Sequence, residues 1–288
     1  MCEKLSGPLK RVAAVHDLSG FGKCSMTVAM PIISAAGLEC CCMPTAILST
    51  HTGGFTGYTY RDLTEDLEAF GNHWAQEGLA FDCIYTGFLG SPEQASIICD
   101  FIDRFNTEDN LVCVDPAMAD GGQLYKIFDD DMVIGMRKLC AKADLVMPNI
   151  TEAALLTGLP YKTGPYTEEE ILTYVKALAD MGPRYVVLTG ISFKADEEGA
   201  ACYDAKTGAL TTSLEPLIPG RFHGTGDVFG SFLVAALVRG VDLTEAAAIA
   251  VHLTRLSILR TVERGTPVHH RVDFEGVLPD MMRALHLV

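Results

Sequence analysis

The stretch that decides the fold of this chain is His223-Gly224-Thr225-Gly226-Asp227, continued by Val228-Phe229-Gly230-Ser231-Phe232-Leu233-Val234-Ala235-Ala236-Leu237. Its apolar residues recur with a helical period, which predicts a helix that buries one face. The first turn of such a helix leaves backbone N–H groups unpaired, and glycines let an anion approach them closely. Asp227 places a carboxylate in this turn. The combination suits phosphoryl transfer, in which amides hold the charge of the moving group and a carboxylate accepts a proton.

The same motif has a simpler explanation as helix capping. Gly-x-Gly is common before helices, and Asp227 would stabilise the helix dipole without any catalytic role. Short motifs of this kind also arise by chance. The interpretation as a phosphoryl-transfer site therefore depends on the rest of the chain.

The composition is that of an ordinary globular protein of 288 residues, 49% hydrophobic and 20% charged. A formal net charge of −15 disfavours nucleic acid and anionic membrane surfaces as partners, because basic residues must neutralise their phosphates. No apolar run approaches the ~20 residues of a membrane span, and residues 1–10 do not resemble a signal peptide. We therefore expect a cytoplasmic protein whose ten cysteines, including Cys40-Cys41-Cys42, are mostly small buried hydrophobic residues.

Strand-like and helix-like segments alternate along the chain. Strands are predicted at 11–15, 38–43, 82–86, 111–114, 144–147 and 185–188, with an antiparallel pair at 200–203 and 209–213. Helices are predicted at 25–36, 62–76, 129–141 and after Ser91 and Thr167, with Asp62 and Glu65 spaced as a capping box. Residues 44–59, rich in Thr and Gly, predict a hairpin-like flap. This alternation predicts an α/β fold, a mostly parallel sheet with helices on both faces, in one domain spanning residues 1–288.

Polar residues follow several of the predicted strands. They are His16-Asp17, Thr86-Gly87, Asp115, Asn149 and Thr189-Gly190. In open α/β sheets, ligands bind beyond the carboxyl ends of the strands, so these residues form the candidate site.

Five segments in this order resemble the ribokinase-like superfamily, and within it the vitamin B6 kinases. They are Ser49-Thr50-His51-Thr52-Gly53, Gly87-Phe88-Leu89-Gly90-Ser91, Asp115-Pro116-Ala117-Met118, Pro148-Asn149 with Thr151-Glu152, and Gly224-Thr225-Gly226-Asp227. Each falls at a predicted strand end or helix start, and the resemblance covers nearly the whole chain. It implies a three-layer α/β/α kinase fold with a small flap.

The resemblance also implies roles for individual residues. Asp227 is then the catalytic base, and Gly224, Thr225 and Gly226 form the anion hole. Asp115 and Glu152 would lie near the nucleotide phosphates and Mg²⁺, with Asn149, Thr189 and Gly190 on the nucleotide side. Asp17, His51, Thr52 and Phe88 resemble the residues that contact the pyridine substrate. Each has an ordinary structural alternative, such as a turn, a helix cap or a core aromatic side chain.

The sequence departs from the usual B6 kinase pattern at several positions. Asp17 stands where many pyridoxal kinases have serine, and Phe88 stands where they have tyrosine. Ala117 and Ala119 differ from the Asp-Pro-Val-Met-Gly signature of the family. A histidine before Gly-Thr-Gly, here His223, resembles the pattern of the related hydroxymethylpyrimidine kinases. Those enzymes nevertheless have cysteine where this chain has Asp227. These departures concern the preferred substrate rather than the kinase chemistry.

The resulting hypothesis is an ATP-dependent, Mg²⁺-requiring kinase that phosphorylates the 5′-hydroxymethyl group of a B6 vitamer. The resemblance also implies a homodimer and leaves open a monovalent cation. The alternatives are a hydroxymethylpyrimidine kinase and an inactive ligand-binding sensor on the same fold. A nicotinamide dehydrogenase is disfavoured, because Gly20-Phe21-Gly22 lacks the third glycine of the dinucleotide motif.

Overall fold

The computed structural model describes residues 8–267, 269, 270 and 272–288. Within these residues the strands are β1 (Arg11–Phe21), β2 (Glu39–Thr50), β3 (Tyr60–Asp62), β4 (Cys83–Thr86), β5 (Leu111–Val114), β6 (Ala119–Asp120), β7 (Gln123–Leu124), β8 (Leu145–Val146), β9 (Tyr185–Ile191), β10 (Glu197–Asp204) and β11 (Ala209–Pro216). The helices are α1 (Met26–Ala35), α2 (Thr64–Gln76), α3 (Pro92–Phe105), α4 (Asp130–Cys140), α5 (Ile150–Thr157), α6 (Glu168–Ala179), α7 (Thr225–Val238), α8 (Leu243–Glu263) and α9 (Leu278–Ala284).

Nine of the described strands form one sheet in the order β11-β10-β9-β8-β5-β4-β1-β2-β3. The pairs from β2 through β9 are parallel, while β3, β10 and β11 are antiparallel at the two edges. The predicted α/β class and the antiparallel pair near the end of the chain are confirmed. Because the parallel strands all end at one edge, the polar residues that follow them are brought to that edge.

Two apolar cores cover the two faces of the sheet. Helices α2 to α6 bury side chains such as Leu67, Ile98 and Met136 on one face. Helices α1, α7, α8 and α9 bury Ile32, Phe232 and others on the opposite face. Strand residues alternate between the two cores, as the two-residue repeat of a strand requires. The layers are therefore helix, sheet and helix, as predicted.

Several predicted boundaries were wrong. Strand β2 continues through Pro44 to Thr50, so the flap turn spans only residues 51–59 before the short strand β3. The capping box expected from Asp62 and Glu65 does not form, because α2 begins at Thr64 after Leu63. The Asp62 carboxylate instead accepts a hydrogen bond from the Thr64 backbone at 2.7 Å. The antiparallel β6–β7 hairpin was not predicted, since two-residue strands leave no periodic signal.

Two predicted helix starts are confirmed by their hydrogen bonds. The Ser91 hydroxyl accepts from the Gln94 backbone at 3.2 Å, with Pro92 in the first turn. Thr167 and Glu170 form a reciprocal capping box before α6. In the described part of the chain, no helix is both long enough and apolar enough to cross a membrane.

Candidate active site

Helix α7 begins with an uncapped turn at the carboxyl edge of the sheet. Gly224 lies at its N-terminus with a left-handed φ of 82°, and no side chain caps the helix there. A Cβ at Gly224 would lie 3.2 Å from both the Cys24 sulfur and the Lys23 carbonyl oxygen, so the position favours glycine. Around Gly226 there is open space where a Cβ would stand. The first-turn amides can therefore receive an anion.

Asp227 is half-buried in this first turn. Burial raises the pKa of its carboxyl from 3.8 to about 7; the Ser25 backbone N–H opposes the shift and the charge of Asp17 adds to it. A carboxyl that titrates near neutral pH can accept a proton from a hydroxyl and later release it. The geometry therefore gives Asp227 the properties of a general base beside an anion-binding turn.

Asp17 lies at a bulge of β1, where pairing with β2 shifts between His16 and Leu18. A bulge redirects side chains, and here the carboxylate is 7% exposed. Its Oδ2 accepts a hydrogen bond from the Ser19 hydroxyl at 3.2 Å. Burial raises the pKa of Asp17 to about 6, while the hydroxyls of Ser25 and Ser19 oppose the shift. Asp17 and Asp227 thus lie close enough to interact.

Glu152 is a buried acid that holds several backbone groups in place. Its Oε2 accepts from the Asn149 N–H at 2.9 Å, and the Asn149 side chain accepts from the Glu152 N–H, which completes a capping box at α5. Its Oε1 accepts from the Met118 N–H at 3.1 Å. Asn149 also donates to the Ala119 carbonyl at 2.9 Å. These two residues therefore anchor the segment that leads into the β6–β7 hairpin.

Asp115 follows β5 and is 8% exposed. Burial raises the pKa of its carboxyl well above the usual range, and the charges of Glu152 and Asp227 raise it further. In the described residues no group of three or more His, Cys, Asp or Glu side chains is arranged to hold a metal ion. Mg²⁺ usually takes one or two protein carboxylates together with phosphates and water. Asp115 and Glu152 are two neighbouring carboxyls whose ionised forms a bound cation would stabilise, and such a pair fits that requirement.

The predicted nucleotide-side residues lie at neighbouring strand ends. Thr189 donates from its backbone to the Pro148 carbonyl at 2.9 Å and forms a parallel bridge with Asn149. Gly190 follows with a left-handed φ of 70° and is exposed. The structure therefore brings Asn149, Thr189 and Gly190 together beside Glu152.

The flap places His51 against the anion-binding turn. The rings of His51 and His223 lie 5.7 Å apart. Both ring nitrogens of His51 are engaged, Nδ1 by the Gly53 N–H at 3.0 Å and Nε2 by the His269 carbonyl at 2.8 Å. His51 therefore has no free ring nitrogen to offer a substrate. The predicted contact with the substrate is left to the carbon atoms of its ring. Thr52 is exposed beside it.

Phe88 and Tyr125 line the region between β4 and the β6–β7 hairpin. Phe88 stacks on Phe128 with ring centroids 5.6 Å apart. Burial raises the pKa of the Tyr125 phenol, and the charges of Glu152 and Asp115 raise it further, so this phenol lies near the acidic pair. Tyr125 was not predicted from the sequence, because a tyrosine in a loop has no distinctive pattern.

Ser25 was also missed, although it lies between two predicted site residues. It is 2% exposed and has a positive φ of 55°, which is unusual for a residue with a side chain. Its backbone N–H contacts Asp227 and its hydroxyl contacts Asp17. The one available signal was the Gly-rich stretch before it, Gly20-Phe21-Gly22.

The chain is similar to several kinases over most of its length. A model of the phosphomethylpyrimidine kinase family matches residues 30–272. A Bacteroides thetaiotaomicron protein described as a phosphomethylpyrimidine kinase and solved with pyridoxal is 36% identical, with a TM-score of 0.91 over 95% of this chain and 96% of its own. The pyridoxal kinase of Lactobacillus plantarum is 31% identical, with a TM-score of 0.88 over 96% of this chain and 98% of its own.

A third relative is the pyridoxine/pyridoxal/pyridoxamine kinase of Bordetella avium, 28% identical over 245 residues, which are 82% of this chain and 80% of that protein. The family match includes the strand ends that carry Asp115 and Asn149 and the uncapped turn that carries Asp227. Both solved structures share the fold almost from end to end. The chain therefore belongs to the phosphomethylpyrimidine kinase family, within the ribokinase-like kinases.

Proposed function

We propose that this protein is an ATP-dependent kinase that transfers the γ-phosphoryl group to the 5′-hydroxymethyl group of a B6 vitamer, in the salvage of pyridoxal 5′-phosphate. The observation that carries the proposal is the carboxyl of Asp227, with a pKa of about 7, inside the uncapped first turn of α7. The similarity to a pyridoxal kinase and to a protein solved with pyridoxal supports the substrate class.

In this proposal Asp227 accepts the proton of the attacking hydroxyl. General-base assistance of this kind is worth ~10²–10⁴-fold in rate. The backbone N–H groups of Gly224, Thr225 and Gly226 would donate to the oxygens of the moving phosphoryl group, where negative charge builds up. Gly224 allows the chain to turn closely beneath them.

The nucleotide side is assigned to Asn149, Thr189 and Gly190, which lie at adjacent strand ends. Asp115 and Glu152 would hold Mg²⁺, Glu152 partly through water, because its two oxygens already accept backbone hydrogen bonds. The ion would neutralise charge on the β- and γ-phosphates.

The substrate side is assigned to Asp17, His51, Thr52 and Phe88. We propose that Asp17 favours pyridoxamine over pyridoxal. Pyridoxamine carries an ammonium group, which an ionised carboxylate accepts in a charge-assisted hydrogen bond about twice as strong as a neutral one. An ionised carboxylate has no donor to offer the aldehyde oxygen of pyridoxal.

A hydroxymethylpyrimidine kinase is the second candidate function. The family description and the description of the Bacteroides thetaiotaomicron protein favour it. Against it stands Asp227, where the hydroxymethylpyrimidine kinases have cysteine. An inactive sensor is a weaker candidate, because both the carboxylate and the open amide turn are present.

A substrate panel separates these functions. ATP consumption would be measured with pyridoxal, pyridoxamine, pyridoxine and hydroxymethylpyrimidine, each with and without Mg²⁺. Turnover of the B6 vitamers above hydroxymethylpyrimidine, dependent on Mg²⁺, supports the proposal. Turnover of hydroxymethylpyrimidine alone would assign the second function, and tight binding without turnover would assign the sensor.

Three further properties complete the proposal. We expect a homodimer, a cytoplasmic location and one kinase domain over residues 1–288. The nine-stranded sheet that runs from β1 to β11 supports the last of these. A comparison of turnover in potassium buffer and in sodium buffer tests whether the activity depends on a monovalent cation.

A further inference from the structure

Ser25 has a backbone conformation that disfavours side chains. Its φ of 55° and ψ of −122° lie where glycine is the usual residue, and such a position costs ~1–3 kcal/mol for other residues. The only other described non-glycine residue with positive φ is His286, in an exposed turn near the C-terminus. Ser25 in contrast is 2% exposed and lies at the sheet edge that carries Asp17. A strained, buried residue beside reacting groups suggests a functional constraint.

The contacts of Ser25 explain why a serine occupies this position. Its backbone N–H contacts the carboxylate of Asp227, and its hydroxyl contacts the carboxylate of Asp17. The hydroxyl oxygen also lies 3.3 Å from Nδ1 of His16. A backbone bridge to Leu18 fixes Ser25 against the bulge of β1. One residue thus contacts two acids that belong to different elements, β1 and α7.

His16 completes this arrangement as a neutral donor. It is fully buried, and burial lowers the pKa of its imidazole to about 3. With the Ser25 hydroxyl donating to Asp17, the serine oxygen is free to accept from a protonated Nδ1 of His16. The hydrogen bonds then run from His16 through Ser25 to Asp17. This direction orients the hydroxyl toward the carboxylate.

We propose that Ser25 is a positioning residue that fixes the carboxylates of Asp17 and Asp227 relative to each other, through its hydroxyl and its amide. The inference rests on the proposed function, because it gives Asp17 to the substrate and Asp227 to the base. The positive φ sets the direction of the amide toward Asp227, and the side chain carries the hydroxyl toward Asp17. Glycine would supply the amide alone.

Two substitutions separate the hydroxyl from the backbone strain. Ser25→Ala removes the hydroxyl and keeps a Cβ at positive φ, whereas Ser25→Gly removes both. The loss of a hydrogen bond to a charged group changes an equilibrium or rate constant by roughly ten-fold or more. We therefore expect kcat/KM for pyridoxamine to be about ten-fold lower in both variants. Ser25→Gly should have the higher Tm of the two. His286→Gly is the matched control, since it relieves a similar φ far from the site.

The pH profile distinguishes positioning from a merely structural role. Loss of the hydroxyl removes a contact that lowers the pKa of Asp17, so that acid should titrate at higher pH in both variants. The other titratable groups that face the two carboxyls come from every neighbouring element: His16 on β1, Cys24 before α1, Tyr60 on β3, Tyr85 on β4, Asp115 after β5 and Tyr125 after β7. None of them is changed by the substitutions. The acidic limb of kcat/KM should therefore move upward with Asp17.

Carboxyl titration by NMR, without substrate, tests the inference independently of turnover. An upward shift of the Asp17 carboxyl in Ser25→Ala and Ser25→Gly, with no shift in His286→Gly, supports it. If the wild-type protein phosphorylates no B6 vitamer, the proposed function fails, yet this titration still decides the role of Ser25. Should Ser25→Ala not fold, Ser25→Gly alone decides. The inference would be overturned if the Asp17 carboxyl of Ser25→Gly titrates as in the wild type and the kcat/KM profile of this variant against pH is also unchanged.

Discussion

Replacing Asp17 by serine should change the choice between substrates more than the rate of phosphorylation. Asp17 is buried, and its pKa of about 6 leaves roughly 90% of the carboxyl ionised at pH 7. A hydrogen bond to a charged group is worth about 1 kcal/mol more than a neutral one, which corresponds to a roughly five-fold preference. We therefore expect the pyridoxamine-to-pyridoxine ratio of kcat/KM to fall about five-fold in Asp17→Ser.

The same prediction has a pH signature in the wild-type protein. An alkyl amine titrates near 10, so the ammonium group of pyridoxamine stays charged between about pH 5 and pH 8. The ratio should therefore follow Asp17, falling as the pH drops through about 6. Pyridoxine serves as the internal control because it has no amine. A ratio that is flat with pH and unchanged in Asp17→Ser would refute the role of Asp17 in specificity.

Three other substitutions or measurements follow from the geometry. Asp227→Asn should lower kcat by ~10²–10⁴-fold with little change in KM, while a variant that retains most of its turnover would remove Asp227 from the mechanism. The same variant should be more stable than wild type at pH 8, because the raised pKa of the half-buried Asp227 carboxyl makes the folded wild type lose stability as the pH rises from about 4 to about 7. The upper bound of this loss is about 4 kcal/mol, and equal Tm values at pH 8 would contradict the prediction. Gly224→Ala should lower both Tm and kcat, since the added Cβ would meet the Cys24 sulfur at 3.2 Å in a left-handed turn, with Gly226→Ala as the milder control for Tm. In thiol labelling of the folded protein, at most Cys42 should react rapidly, because the hydrogen bond with Cys40 lowers the pKa of Cys42 to about 7. Rapid labelling of Cys40, Cys41 and Cys42 would show that these three cysteines are not structural.

The sequence was sufficient for the main features of the fold because they rest on local periodicity. The central strands are apolar runs, and α3 and α6 begin with side chains that cap them within three residues. The capping box expected at Asp62 failed for a tertiary reason. Asp62 lies in β3, where pairing with β2 fixes its backbone, and its Oδ2 also receives the Gln94 amide at 3.3 Å. Pairing between distant segments therefore overrode a local signal.

The ends of predicted strands indicated part of the candidate site, whereas its loop residues carry little signal in the sequence. Asp115 and Asn149 come after β5 and β8, so topology alone brings them to one edge. Asp17 was expected to follow a strand that ends at residue 15, but β1 continues to Phe21 and Asp17 lies at its bulge. Ser25 lies in the loop between β1 and α1, and Tyr125 follows the β6–β7 hairpin. Their relation to the acids therefore depends on how this loop and this hairpin fold back. The sequence also could not predict that both ring nitrogens of His51 form hydrogen bonds, because one partner is the carbonyl of His269, 218 residues later in the chain.

The cluster of acids at this edge has a consequence for how the proposed reaction would be controlled. The negative charge of Asp17 raises the pKa of Asp227, and Asp227 in turn raises that of Asp115. A cationic group bound at Asp17 offsets the first effect, so it lowers the pKa of Asp227 and increases the fraction of base that is ionised. Mg²⁺ held at Asp115 would act in the same direction from the nucleotide side. In the proposed kinase the largest fraction of Asp227 is therefore ionised when a cationic substrate and Mg²⁺ are both bound.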